Sequence, residues 1–205
     1  MELYKHFTTI TSQLYFCSSP LRIDTYNRCQ FGCVYCFSRN RRGDNTLKGI
    51  KQASPNAFLE RMKRVSAGKI QSALDEFLSR RVPIQLGGMF DPFTPLEAKQ
   101  RKTLHLLEIL NDYQYPTLIS TKGDIFLRDE YSRILEKMNV LVRISSAGVA
   151  EKFRDSVDIG CASFNGVLSK IKEVRSLGLN VSLRIQPVIP GFESDALEMT
   201  ERAAK

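Results

Sequence analysis

Two periodicities alternate along this chain. Short β-branched or apolar runs are "LRIDTY" (21–26), "VPIQLGG" (82–88), "YPTLIST" (115–121), "VLVRISS" (140–146) and "NVSLRIQPVI" (180–189). Between them lie longer segments whose apolar residues recur at helical spacing. "SPNAFLERMKRV" opens on Ser54 as an N-cap with Pro55 at the first helical position, and "TPLEAKQRKTLHLLEILNDY" repeats that opening with Thr94 and Pro95. "LRDEYSRILEKMN" and "SFNGVLSKIKEVRSLG" follow, the second closed by Gly178 at a C′ position, and "SDALEMTERAAK" runs to the end. Strand and helix in alternation, five times over, predict an α/β fold with a parallel sheet and right-handed crossovers. The apolar runs read as nearly continuous, so both faces of the sheet are expected to be covered. An open doubly wound sheet and a partial or complete (β/α) barrel both fit. In either, function gathers where the strands end, so the informative residues stand just after each run.

Residues 1–20 precede this pattern as an N-terminal extension, and 21–205 form one core. The 205 residues, 42% hydrophobic and 25% charged, bury enough surface to fold without disulfides. No apolar run approaches the ~20 residues of a membrane span, and no basic n-region precedes an apolar stretch at the N-terminus. The five cysteines are an odd number, with three of them inside eight residues. That usage suits reduced thiols with a metal role in the cytoplasm better than a disulfide framework. The net charge of +8 is uneven: nine Lys or Arg stand between Arg39 and Lys69, against Asp44 and Glu60. Such a run serves an anionic, phosphate-rich partner or a solvated face, and charge alone leaves both open.

The three clustered cysteines lie in "RCQFGCVYCFSRNRR" (28–42), directly after the first apolar run. Cys29, Cys33 and Cys36, spaced x3 and then x2, can turn inward around one loop, and thiolates so spaced suit an iron–sulfur cluster. A cluster normally takes four thiolates, yet Cys17 is twelve residues upstream and Cys161 far downstream. A structural zinc site would need His6 or His105 as its fourth ligand. A ferredoxin-like carrier would need a fourth Cys in sequence, and "CFSRN" has none. A cluster held by three cysteines keeps one iron open to a ligand, much as catalytic zinc keeps an open position.

"CQFGCVYC" resembles the Cys-x3-Cys-x2-Cys loop of the radical S-adenosylmethionine (radical SAM) enzymes, with Tyr35 just before the third Cys. "YCFSRN", "GGMFDPFTPLE", "ISTKGDIFLRDE" and "VIPGF" are similar to successive blocks of the spore photoproduct lyase-like branch, from residue 21 to about 193. The resemblance implies a partial (β/α) barrel holding a [4Fe-4S] cluster on Cys29, Cys33 and Cys36. It implies that the amino and carboxylate groups of S-adenosylmethionine (AdoMet) chelate the open iron. Reductive cleavage then yields a 5′-deoxyadenosyl radical that takes a hydrogen atom from a substrate, with a flavodoxin or ferredoxin as electron donor.

Further roles follow, those of Tyr35, Gly87–Met89, Lys122 and Ser145 from the resemblance and those of Arg184, Asp91 and Cys161 from position, each beside a plainer one. Tyr35 lies along the adenine or simply packs. Gly87, Gly88 and Met89 end the second run, where adjacent glycines admit a ligand to the backbone carbonyls or merely turn the chain. Lys122 and Ser145 meet the AdoMet carboxylate, or are a surface lysine and a helix cap. Arg184, inside the fifth run, needs a carboxylate, a phosphate or a protein acid as partner. Asp91 faces substrate or ribose, or makes an Asx turn before Pro92. Cys161 delivers a hydrogen atom to a product radical, or is a small half-buried residue.

The chain also departs from the pattern. Photoproduct lyases place a hydrogen-donor Cys near the end of the second strand, and residues 84 to 96 contain none. Arg28 stands before the first Cys, where this branch often has Gly. Family cores carry six β/α units and only five are visible here. An open last edge would invite pairing, so a longer native chain or a partner covering that edge is expected. The lyase-like blocks and the basic segment favour a nucleic-acid substrate. A protein or peptide substrate, or an accessory subunit that binds a cluster without activity, are the alternatives.

Overall fold

The computed structural model describes residues 8–10, 19–38 and 49–205; Cys17, Arg39, Arg41, Arg42 and Lys48 lie outside the described residues. Six strands form one sheet in the order of the sequence: β1 (Thr8–Ile10), β2 (Leu21–Ile23), β3 (Ile84–Leu86), β4 (Thr117–Thr121), β5 (Val140–Ser146) and β6 (Asn180–Ile185). β2 to β6 pair in parallel, as the five apolar runs predict. β1 comes from the stretch read as an extension and pairs antiparallel with β2, Thr8 opposite Ile23. It covers an edge that would otherwise present unpaired backbone groups. β6 forms the opposite edge, with no strand beyond it among the described residues.

The crossovers are helical. α1 (Pro55–Ser66) and α2 (Ala73–Ser79) join β2 to β3, and α3 (Glu97–Gln100) and α4 (Lys102–Asp112) join β3 to β4. α5 (Asp129–Leu135) leads to β5, α6 (Glu151–Val157) and α7 (Phe164–Ser176) lead to β6, and α8 (Glu193–Ala204) follows. Ser54 caps α1, accepting the Ala57 N–H, with Pro55 next to it. Gly178, at φ +72°, turns the chain out of α7 as expected. α2 and α6 are seven residues each, too short for their period to stand out in the sequence.

β4 is buried on both faces, as the reading of the apolar runs expects, but β2, β3 and β5 are not. In β5 the buried Val140, Val142, Ile144 and Ser146 alternate with the half-buried Leu141, Arg143 and Ser145. β2 and β3 do the same, with Arg22 and Gln85 between buried neighbours. Period-two geometry sends the buried set to one face. There it packs under the helices against Phe58, Met62, Leu107, Leu110, Ile171 and Val174. Each such side chain contributes about 1.5–3 kcal/mol when fully buried. The other face bears Arg22, Gln85, Ser120, Arg143 and Arg184. It bends around a cavity, because residues of β2 and of β6, at opposite ends of the parallel sheet, line the same space. The runs looked continuous because β2 and β3 each turn a single residue inward.

A second difference lies in "TPLEAKQRKTLHLLEILNDY". This segment is two helices, broken at Arg101 in the left-handed region at φ +51°. Thr94 does not cap it with its side chain: its hydroxyl is buried without a hydrogen bond. The cause of the break is Glu97, fully buried. Its carboxylate accepts the N–H groups of Thr103 at 3.0 Å and Leu104 at 2.9 Å, which start α4 and have no carbonyl of their own helix to bond. It also accepts the hydroxyls of Tyr131, at 2.8 Å, and Tyr26. One buried charge thus caps a helix and anchors two core tyrosines. Glu97→Ala leaves four buried donors unpaired and should lower the unfolding free energy by about 3–5 kcal/mol. Urea denaturation checks this, and a loss under about 1 kcal/mol would contradict it.

Candidate active site

The concave face opens at the carboxyl ends of the strands into a cavity of about 570 Å³. Cys29, Cys33 and Cys36 line it from the loop after β2. Gly87, Gly88 and Met89 line it from the end of β3, Lys122 from β4, Ser145 from β5 and Arg184 from β6. Tyr35 and Asp91 also border it. Of the residues singled out in the sequence, Cys161 alone stands behind this wall, in contact with Cys33.

The cysteine loop is held from one side. Gly32 donates its N–H to the carbonyl of Ile159 at 2.9 Å, and Val34 donates to Val157 at 3.1 Å. A Cβ on Gly32 would stand 2.9 Å from the Ile159 side chain, so the close approach needs glycine. A turn closed by the Cys36 N–H on the Cys33 carbonyl, at 3.2 Å, brings the second and third cysteines round to the cavity. Tying this loop to the segment after α6 sets Cys33 beside Asp158 and Cys161. Their ligand atoms lie within 4.8 Å of one another, with the two sulfurs 3.7 Å apart. The hydrogen bond with Cys161, and after it the Lys122 ammonium, holds the Cys33 thiol below its usual range, against burial and Asp158. Sharing that proton holds the Cys161 thiol far above its usual range. Burial, then the nearby Asp91 carboxylate, pushes Cys29 up to about 12.

Asp158 was not anticipated, and it joins three strand-end segments. Its carboxylate accepts from Lys122 Nζ at 2.8 Å, from the Tyr35 hydroxyl, and from the Ala147 N–H at 3.1 Å. Desolvation would raise its carboxyl, but Lys122, Tyr35 and Ala147 outweigh that and hold it below the usual range. Tyr35 is in turn raised, by burial and then by Asp158. Lys122 Nζ also donates to the Tyr35 oxygen at 2.5 Å and lies 5.2 Å from the ring centroid. Tyr35 and Lys122, read separately as adenine and carboxylate contacts, therefore form one polar unit.

The remaining strand ends are equally fixed. Gly87 adopts φ +84°, and a Cβ there would meet the Ser120 carbonyl at 2.4 Å, so only glycine fits. Asp24, buried at the end of β2, accepts the N–H groups of Met89 at 2.8 Å and Phe90 at 3.1 Å. With those N–H groups tied back, the turn is rigid where it meets the cavity. Asp91 makes the Asx turn, accepting the Phe93 N–H at 2.9 Å, and it also binds the Thr121 hydroxyl and the Lys122 N–H. Burial nevertheless raises its carboxyl. Lys170, buried on α7, donates to the carbonyls of Lys122 and Gly123 at 2.7 and 2.8 Å and so fixes the loop that carries Lys122. Burial lowers its ammonium. Its place on the apolar stripe with Val167, Ile171 and Val174 was the one sequence signal for it. Ser145 faces the cavity, whereas its neighbour Ser146 is buried and accepts the Gly148 N–H at 3.1 Å.

No protein-family model matches the chain, and no curated protein matches it. Solved structures do match. A spore photoproduct lyase variant with bound AdoMet and dinucleoside spore photoproduct aligns with 99% of this chain at a TM-score of 0.73 and 14% identity. Streptococcus suis SuiB bound to S-adenosylmethionine aligns with 89% at 0.57 and 13% identity, and SuiB bound to precursor peptide SuiA with 91% at 0.60 and 16%. This chain spans 56% of the first lyase structure and 36–38% of SuiB. At these identities the likeness is one of fold: the chain has the partial (β/α) barrel of the radical SAM enzymes, in the form found in spore photoproduct lyase.

Proposed function

We propose that this chain is the core of a radical SAM enzyme that holds a [4Fe-4S] cluster on Cys29, Cys33 and Cys36 and binds AdoMet beside it. One observation carries the reading: the three cysteines line the same strand-end cavity as Lys122, Ser145 and the Gly87–Met89 turn. The donor set fits a cluster. It offers three thiols on one loop, all lining the same cavity. Among the described residues these three do not form the tight group a single metal ion requires, whereas a cluster, being larger, takes ligands set further apart.

When reduced, the cluster and AdoMet together supply a 5′-deoxyadenosyl radical. The chain's part is to bind and orient. Backbone carbonyls of Gly87–Met89 accept the AdoMet ammonium group. Lys122 and Ser145 take its carboxylate, with Lys122 pre-set by Asp158 and by the Lys170-held loop. Tyr35 borders the adenosine, and Arg184 stands further along the same wall. In this reading Asp91 holds the turn after β3 to the loop after β4, and Cys161 supports Cys33. A flavodoxin or ferredoxin delivers the electron.

For the substrate we favour nucleic acid, supported by the fold shared with spore photoproduct lyase and by the basic segment after Cys36. Part of that segment is spent internally: Arg61 and Arg64 pair with Asp75 at 2.7 Å, and Lys63 with Glu60 at 2.8 Å. SuiB with its precursor peptide supports a peptide as the second reading. Among the described residues no helix is long and apolar enough to cross a membrane.

Anaerobic reconstitution, dithionite reduction and AdoMet should yield 5′-deoxyadenosine, lost in Cys33→Ala. A cluster that forms without producing the nucleoside would favour an accessory subunit, and absence of any cluster in folded protein would overturn the proposal. Lys122→Ala, compared with the parent at equal iron content, should weaken AdoMet binding by about tenfold or more, the scale of a charged hydrogen bond. Equal affinity in mutant and parent removes Lys122 from the cofactor site. Binding to DNA or RNA should weaken steeply as salt rises, and salt-insensitive or absent binding would count against a nucleic-acid substrate.

A further inference from the structure

Cys33 and Cys161 meet where the cysteine loop is fastened to the segment between α6 and α7. Both are buried, and their sulfurs are 3.7 Å apart. Among the described residues no other pair of cysteine sulfurs is in such contact. The backbone on each side builds the contact. Gly32 and Val34, flanking Cys33, donate to the carbonyls of Ile159 and Val157 at 2.9 and 3.1 Å. The Cys161 N–H donates to the Asp158 carbonyl at 2.9 Å, and Arg154 Nη1 donates to the Cys161 carbonyl at 2.8 Å. The two main chains are therefore held together whatever the thiols do. A disulfide needs sulfurs at about 2.05 Å, and rotation of the two side chains about their Cα–Cβ bonds supplies the approach. The thiols differ in access. Cys33 lines the cavity of about 570 Å³, room enough for a small molecule, whereas Cys161 stands behind its wall.

We propose that Cys33 and Cys161 form a reversible disulfide in the cluster-free chain, closed by a small-molecule disulfide that enters the strand-end cavity. The Cys33 thiolate attacks one sulfur of the oxidant RSSR. A mixed disulfide between Cys33 and RS forms, the S–S bond of the oxidant breaks, and one thiolate leaves. The Cys161 thiolate then attacks the Cys33 sulfur from behind the wall, forming the Cys33–Cys161 bond and releasing the second thiolate. The two cysteines give up two electrons and two protons, and RSSR takes them up as two RSH. A dithiol reverses both steps. The inference rests on the cluster reading for its meaning. A Cys33 sulfur tied to Cys161 is not available to iron, and one tied to iron is not available to an oxidant, so bridge and cluster exclude each other. After loss of the cluster, the bridge keeps Cys33 from irreversible oxidation to sulfinic acid and closes the site until a reductant reopens it.

The test is thiol mapping of the full chain, purified without oxygen, freed of metal with a chelator and incubated with oxidised glutathione. Remaining thiols are alkylated, and tryptic peptides are read by mass spectrometry. Two of the five thiols should be lost. Peptide 29–39 should be joined to peptide 155–170, with fragmentation placing the link at Cys33 and Cys161. Dithiothreitol should restore both thiols. Cys161→Ser should stop at the mixed disulfide of Cys33 with glutathione, and Cys33→Ser should lose the link. With the cluster reconstituted, the same treatment should leave Cys33 and Cys161 unlinked while the cluster absorbance persists. Circular dichroism reports whether each sample is folded, and mapping of the parent needs no variant. Both thiols free in the folded, cluster-free chain, Cys161 linked to a cysteine other than Cys33, or a link formed as fast with the cluster as without it would overturn the proposal. The thiol map of the cluster-free chain is independent of 5′-deoxyadenosine formation, so failure of the bridge and failure of the radical SAM reading give different results.

Discussion

The Asp158 carboxylate is the contact on which the site's geometry turns. It is 4% exposed and receives Lys122 from the end of β4, Tyr35 from the cysteine loop and the Ala147 N–H from the end of β5. A buried carboxylate is tolerable only when paired and hydrogen-bonded. That requirement holds the three segments in register, because moving any one of them away would strand the charge. The backbone bonds from Gly32 and Val34 to the 157–159 segment fasten the cysteine loop to the same point. The loop's position is thus set by polar contacts to residues more than a hundred positions away in sequence, not by its own conformation.

The sheet supplies the complementary constraint. Its alternation gives one face to a continuous apolar core under the helices and the other to polar side chains around a cavity. Because the strands are parallel, their carboxyl ends share one side, and the Cys loop, the Gly87 turn, Lys122 and Ser145 converge there. Two buried charges outside the site serve the same end. Glu97 caps α4 behind β3, and Lys170 reaches from α7 to the carbonyls after β4. Both secure strand-end loops whose positions the cavity depends on.

The five parallel strands, the caps at Ser54 and Gly178 and the cysteine triplet were legible because each rests on a local signal: an apolar run, a capping residue, a spacing. What stayed hidden rests on long-range partners. Asp158 is an ordinary acid in "SVDIGC" until the fold sets Tyr35 and Lys122 beside it. The break at Arg101 depends on Glu97 turning inward, which no periodicity shows. The polar inner face was misread because β2 and β3 are so short that a single Arg22 or Gln85 marks it. Lys170 was partly legible, as a lysine on an apolar helical stripe calls for a buried acceptor. The comparison with solved structures extends the fold beyond what sequence similarity alone detects, since at 13–16% identity the layout of strands persists while most side chains differ.

The central claim is that three cysteines suffice because AdoMet completes the cluster. Electron paramagnetic resonance of the reconstituted, reduced protein tests it directly, using AdoMet labelled with nitrogen-15 at the amino group and oxygen-17 at the carboxylate. The account predicts hyperfine coupling from both labels to the cluster. A cluster signal that shows neither coupling, and is the same with and without AdoMet, would contradict it.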